Sequence, residues 1–186
     1  VELNGRAINK ASVRVKAGDL LSTQFCLEAK EKKQRECGEV LHKDDEVLII
    51  NKEPGIAVQG KPGQDNIESL VQKKHGFYDL CHRLDKDTSG VLVLARGKHI
   101  TYIMDQFRER SAQKSYLALC CGKPSQQKWQ IENHLAGIDK KTGMVRAVKS
   151  GGRKAQTTFE LLSYSSKHRL CLVRCFPKTG RSHQIR

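Results

Sequence analysis

Apolar residues in this chain fall in short blocks separated by glycine, proline and charged turns. Val47-Leu48-Ile49-Ile50 is an apolar run broken by Pro54-Gly55, the pattern of a buried strand and its turn. Val91-Leu92-Val93-Leu94-Ala95 predicts a second buried strand, and Tyr116 to Cys121, Thr157 to Leu162 and Leu170 to Phe176 predict three more. Helical spacing occurs twice. Ile67, Leu70 and Val71 fit one helix, with Asp65 or Asn66 as its cap and Gly76 as its stop. Ile100, Ile103, Met104 and Phe107 fall at i, i+3, i+4 and i+7, which predicts an amphipathic helix facing a core. Many strands with few helices between them predict an α+β fold: a mixed, largely antiparallel sheet with flanking helices.

The first residues follow a different rhythm. Val1 and Leu3 alternate, Asn4-Gly5 is a tight-turn signal, and Val13 and Val15 alternate ahead of Ala17-Gly18-Asp19. This predicts a small strand-rich unit over residues 1–26, too short to bury a core alone. Residues 27–39 carry Glu28, Lys30, Glu31, Lys32, Lys33, Arg35, Glu36 and Glu39, and are expected to be a charged linker. The main body is expected over 40–186.

Charge changes the picture more than length does. The 186 residues hold 34 Lys and Arg against 20 Asp and Glu, a net of 34 − 20 = +14. No stretch approaches the roughly 18 uninterrupted apolar residues of a membrane helix, so no membrane partner is expected. A soluble chain this basic points to a polyanion, nucleic acid first. The charge is concentrated over 97–154, where twelve Lys or Arg face four acids. Within it, residues 140–154 hold no acid once Asp139 is passed, and Lys149, Arg153 and Lys154 are the candidates for contacts to an RNA backbone. The seven cysteines, Cys26, Cys37, Cys81, Cys120, Cys121, Cys171 and Cys175, form no C-x-x-C pair. Reduced, mostly buried thiols are expected rather than a metal site, with Cys171 and Cys175 on one face of a strand.

The sequence has no phosphate-binding G-x-x-x-x-G-K-[ST], no G-x-G-x-x-G, no H-E-x-x-H and no G-x-S-x-G. Two polar clusters remain. His82-Arg83-Leu84-Asp85-Lys86-Asp87-Thr88-Ser89-Gly90 precedes the strand at 91–95, and a loop at the mouth of a rigid strand is a common place for catalytic groups. Lys178 to Arg186 follows the strand at 170–176. By spacing alone, each also fits an ordinary charged turn.

Those clusters carry a resemblance. His82 to Arg96, HRLDKDTSGVLVLAR, resembles the signature of the RluA-type RNA pseudouridine synthases. Ile50 to Val58 is similar to that family's strand and Lys-Pro-Gly turn, with Glu53 inserted after Lys52. Gln113 to Ala118 resembles its Lys-x-Tyr strand, and Thr179 to Arg186 its Thr-Gly-Arg-Thr-His-Gln block, with Ser182 for the common Thr. The likeness covers residues 40–186. The first 24 residues resemble the second half of the small RNA-binding domain named after ribosomal small-subunit protein four.

The resemblance implies an enzyme that breaks the bond from ribose to base nitrogen in RNA uridine and rejoins it through a base carbon, without cofactor or metal. It implies that Asp85 is the essential aspartate, acting as nucleophile on the sugar or as base. Arg181 would pair with it. Tyr116 would stack on the base, and Arg83 would stand beside the flipped nucleotide. Ile185 would be an aliphatic wall, while His82 and Thr88 would hold the loop. Ribosomal RNA, of the large subunit in the most similar branch, or a pre-ribosomal particle is the partner implied for a monomer in a bacterial cytoplasm or an organelle matrix. With Val1 opening inside a half-unit and the last motif ending at Arg186, further chain is expected on both sides. Two rivals remain: a catalytically silent RNA-binding assembly factor that keeps the fold, and a basic structural ribosomal protein, which needs no pocket around Asp85.

Overall fold

The computed structural model describes residues 2–7, 16, 18–22, 36–60 and 63–186. They fall into two compact units, divided between Arg35 and Glu36. In the first, β1 (Glu2–Leu3), β2 (Arg6–Ala7) and β3 (Leu21–Ser22) form an antiparallel sheet in the order β2-β1-β3. Asn4 and Gly5 both take left-handed φ, 52° and 76°, as the expected tight turn requires. The Asn4 amide then holds the returning chain, donating to Asp19 Oδ1 and accepting from the Leu20 N–H, both at 2.8 Å. The alternation at Val13 and Val15 lies outside the described residues.

The second unit contains two antiparallel sheets and two helices. Four strands pair in the order β4-β5-β7-β6: β4 (Glu39–Lys43), β5 (Val47–Lys52), β6 (Asp79–Leu80) and β7 (Gly90–Ala95). Five pair in the order β10-β9-β11-β12-β8: β8 (Tyr116–Cys121), β9 (Lys128–Leu135), β10 (Ala147–Val148), β11 (Arg153–Ser165) and β12 (Leu170–Pro177). The apolar runs behave as their pattern demands. Leu48, Ile50, Leu92 and Leu94 are fully buried, and they share a core with Ile67 and Val71 of α1 (Ile67–His75). Asn66 caps α1 by accepting from the Ser69 N–H at 3.0 Å, and Gly76 ends it at φ 87°. In the other sheet Cys171, Val173 and Cys175 alternate inward together. All six described cysteines are free thiols, four of them buried; Cys26 lies outside the described residues.

Two expectations change, and one strand was not foreseen. The apolar stripe of α2 (Lys98–Arg108) does not sink into a core: no residue of the helix is buried and Met104 is 47% exposed. Its Phe107 end packs on the His82 ring, centroids 4.4 Å apart, at the rim of a cleft rather than over a sheet. β9 was not legible, because its polar side chains hide the strand inside a basic stretch. Its partner β11 runs the full thirteen residues and spans the predicted Thr157–Leu162. Finally, Cys37 and Gly38, inside the expected linker, are buried in the second unit. Gly38, at φ 112°, passes so close to β5 that an added Cβ would stand 2.1 Å from the Asn51 carbonyl oxygen.

Two polar side chains, one buried and one half-buried, fix the loop between β6 and β7. Lys52, 0% exposed at the end of β5, donates from Nζ to the carbonyls of Glu53 (2.8 Å), Ile56 (3.0 Å) and Lys86 (3.0 Å). Burial pushes its ammonium below the usual lysine range, and the carboxylates of Asp87, Asp85 and Glu53 push it back. The Gly55 N–H donates to the same Lys86 carbonyl at 2.8 Å, so the turn after β5 and the loop before β7 are bolted together. His82 holds the other side, its Nε2 accepting from the Val93 N–H at 3.1 Å.

Lys52→Met keeps the aliphatic stem and strips the Glu53 and Ile56 carbonyls of this donor, while the Lys86 carbonyl keeps the Gly55 N–H. It is expected to cost about 3 kcal/mol, at roughly 1–3 kcal/mol per orphaned group with partial rescue by water. Urea unfolding measures this, and a loss below about 0.5 kcal/mol would show that the cage is not structural.

His82 is pushed down to about 4 by burial, which outweighs the raising effect of the Arg83 backbone, and the nearby Lys114 charge lowers it further. An unfolded imidazole titrates near 6.5, so between about 6.5 and 4 the unfolded chain binds the additional proton and stability falls as pH falls. The loss from this group reaches about 3 kcal/mol near pH 4 and stays constant below it. His82→Gln, compared with the parent by urea unfolding at pH 7, 5.5 and 4.5, should flatten that dependence. Identical pH dependence in both proteins would refute the neutral, buried imidazole.

Candidate active site

Asp85 sits in the loop that Lys52 and His82 hold. The Thr88 N–H donates to its carbonyl at 3.1 Å, closing a turn that leaves the half-buried carboxyl facing outward. Its Oδ2 accepts from the His183 backbone N–H at 3.2 Å, a contact 98 residues away in the chain. His183 takes φ 56°, a left-handed conformation uncommon outside glycine, and this turns its amide toward the carboxylate.

The segment that supplies the amide is wound around one side chain. Gln184 Oε1 accepts from Thr179 Oγ1 (2.8 Å) and from the Arg181 N–H (2.9 Å). Its Nε2 donates to the Gln156 carbonyl (3.1 Å) and to Thr157 Oγ1 (2.9 Å) on β11. All of the amide's short-range polar capacity is thereby used, and residues 178–184 are stitched onto the five-stranded sheet.

Asp85, Arg83, Tyr116, Arg181 and Ile185 all line one cleft of about 790 Å³. Thr88 and His82 line it too. Tyr116 points inward from β8 and packs against both hydrophobic cores, placing its ring at the seam between them. Burial raises its phenol above the usual range, and the Asp85 charge adds to that, so the ring and the carboxylate share one neighbourhood. Ile185 packs on the core of the five-stranded sheet and presents an aliphatic wall. A second cavity of about 380 Å³ opens on another side of Asp85, bounded by Gln59, Asp87 and Gly143 among others.

The pairing of Arg181 with Asp85 is not formed. Arg181 Nε donates to the Lys154 carbonyl at 3.0 Å, and the ion pairs among the described residues do not include Arg181 with Asp85. Gln184 draws the Arg181 backbone toward β11, and the guanidinium follows it. The basic segment also differs from its composition. Lys149, Arg153 and Lys154 are exposed and lie outside the cleft lining. Arg153 and Lys154 are successive residues of β11, so their side chains leave opposite faces. Lys154 Nζ is held by Glu132 of the neighbouring strand at 2.7 Å, a partner invisible along the chain.

Sequence reasoning assigned no role to Lys52, His183 or Gln184. Their polar spacing carried no signal, because what matters is a buried ammonium, a backbone N–H and an amide hub that only the folded chain brings together. With a cleft already formed at Asp85, the structural-protein rival loses its defining expectation.

Similar proteins share this fold. Residues 46–186 match the RNA pseudouridylate synthase family. The ribosomal large subunit pseudouridine synthase C of Vibrio parahaemolyticus is 32% identical over 205 residues, covering 100% of this chain and 62% of that protein. Its namesake from Escherichia coli is 36% identical over 156 residues, covering 79% of this chain and 47% of its own. The chain thus spans about half to three-fifths of the length of these relatives. The structure of human RNA pseudouridylate synthase domain containing 4 superposes with a TM-score of 0.64 at 30% identity, over 80% of this chain and 62% of that one. That of human RNA pseudouridylate synthase domain containing 1 also reaches 0.64, at 24% identity, a likeness of fold. By its matched residues and by this α+β architecture, the chain belongs to the RNA pseudouridylate synthase family.

Proposed function

We propose that this protein isomerises uridine to pseudouridine in RNA, with Asp85 as the reacting carboxylate and large-subunit ribosomal RNA as the substrate. One observation carries the reading: residues from three distant stretches, Arg83 and Asp85, Tyr116, and Arg181 and Ile185, line a single cleft with the carboxylate in its wall. The cleft has room for a flipped nucleotide, and its one acid sits among seven Lys or Arg lining residues, which suits an anionic strand.

In this reading the target uridine leaves its stack and lies against Tyr116, with Arg83 beside it. Asp85 acts on the sugar or as a base while the bond from C1′ to base nitrogen breaks. The base turns within the cleft and rejoins through carbon, so substrate and product have the same atoms. The His183 N–H keeps one carboxylate oxygen aimed, leaving the other free for the substrate. Arg181, drawn toward β11, is free to move onto the carboxylate or the RNA when the strand enters. The named activity of the relatives supports ribosomal RNA as the substrate class. The reading assigns the work to a monomer in a bacterial-type cytoplasm, with an organelle matrix as the alternative.

Asp85→Asn keeps the shape of the side chain but removes its nucleophilic and basic character. It is expected to abolish conversion in a single-turnover assay on a uridine-containing ribosomal RNA fragment, while affinity at one fixed salt stays within a few-fold because phosphate contacts dominate. Full activity in the variant would sink the assignment. A parent protein that binds the fragment and never converts it would favour the silent assembly factor.

The outer basic segment is proposed as a backbone contact. Lys149→Gln with Arg153→Gln should lower the slope of log affinity against log salt by about 1.4, at roughly 0.7 per contact to single-stranded RNA. Lys154→Gln should add less, since Glu132 already neutralises it. An unchanged slope in the double variant removes the segment from the footprint.

A further inference from the structure

The wall of the cleft formed by the end of α2 and the segment leading to β8 carries Arg108, Arg110 and Lys114. Arg108 is held by Asp105 at 2.7 Å, one turn back on its own helix. Neither Arg110 nor Lys114 meets a carboxylate in the ion pairs of the described residues. Both face the same space. Lys114 Nζ reaches across to the opposite wall, where a Cβ added to Gly180 would stand 3.9 Å from it. Arg110 is fixed in the left-handed region at φ 65°, in the turn that ends the helix. Burial and the Arg110 charge both push the Lys114 ammonium below its usual range. Two cations that repel one another, one partly withdrawn from water, form a costly arrangement unless an anion joins them.

We propose that Arg110 and Lys114 form a phosphodiester subsite that grips the RNA backbone next to the nucleotide at Asp85. A guanidinium fork beside a compact ammonium matches the two free oxygens of a backbone phosphate. Among the residues that line the cleft Asp85 is the one acid, and Asp105 on the helix is already paired with Arg108. This inference rests on the RNA reading above and adds to it a place where the strand is held, on a cleft wall that the exposed Lys149, Arg153 and Lys154 do not line. Gly180 faces Lys114 across this gap, and a Cβ there would meet the ammonium at ordinary contact distance.

The test uses the full chain with two probes, a uridine pentanucleotide and the same pentanucleotide with uncharged methylphosphonate linkages. Arg110→Gln with Lys114→Gln is expected to weaken the natural pentanucleotide about tenfold and to lower its salt slope by about 1.4, two contacts at about 0.7 each. Binding of the uncharged probe should be the same for parent and variant, and Lys114→Arg should retain most of the parent affinity. Equal weakening of both probes, or no weakening of either, overturns the subsite and leaves the RNA reading standing. Failure of the parent to bind the natural pentanucleotide overturns the RNA reading and the subsite with it. If the double variant does not fold, Arg110→Gln alone, at an exposed position, carries the comparison with half the slope change.

Discussion

The site depends on a lysine that never meets solvent. An ammonium buried without partners would be ruinous, and Lys52 avoids that by donating three hydrogen bonds to main-chain carbonyls, one of which, that of Lys86, also accepts from the Gly55 N–H. Two of those carbonyls belong to the turn after β5 and one to the loop before β7. The loop that carries Asp85 is therefore secured at its base by hydrogen bonds that the buried ammonium cannot do without. Lys52 also lies behind the carboxylate, within reach of its field, so the loop's mechanical support doubles as a fixed positive charge. The inserted Glu53 supports this, giving its main-chain oxygen to the ammonium while its carboxylate favours the charged form.

The other half of the site rests on neutral hydrogen bonds. Gln184 fastens residues 178–184 to β11, and the strained His183 backbone then reaches Asp85 across the gap. One half of the site comes from each sheet, and the carboxylate is one of the points where they touch, beside the shared Tyr116 ring and the Arg186–Asp87 pair. This explains why Arg181 can leave the carboxylate without the site opening: the amide, and not the guanidinium, bridges the two halves here. A main-chain donor also cannot swing away or be neutralised, which makes it a more constant partner than a long side chain.

Much of this fold was readable from periodicity. Alternation within apolar blocks gave β5, β7, β8 and β12, and the cap and stop of α1 were read at Asn66 and Gly76. Where the reading failed, the cause was tertiary. β9 offers few apolar residues of its own and is a strand because β11 pairs with it over eight residues. The stripe on α2 was correct as a pattern, but it borders a cleft instead of a core. Motif residues could be drawn together because four segments agreed with one family. Their contacts could not: the Arg181–Asp85 pair, the neutralisation of Lys154 by Glu132 and the cage around Lys52 are facts of approach, and chain order does not encode them.

Tyr116 belongs to both hydrophobic cores at once. A ring shared in this way cannot tilt without loosening one packing surface or compressing the other, and close-packed interiors resist both. Its orientation is consequently a gauge of how the two sheets stand relative to each other. Any breathing between the sheets reaches the cleft as a rotation of the face on which a base would lie, and any base that fixes that face damps the breathing. In the reading proposed above, a base stacked on Tyr116 would therefore tie affinity for RNA to the rigidity of this unit.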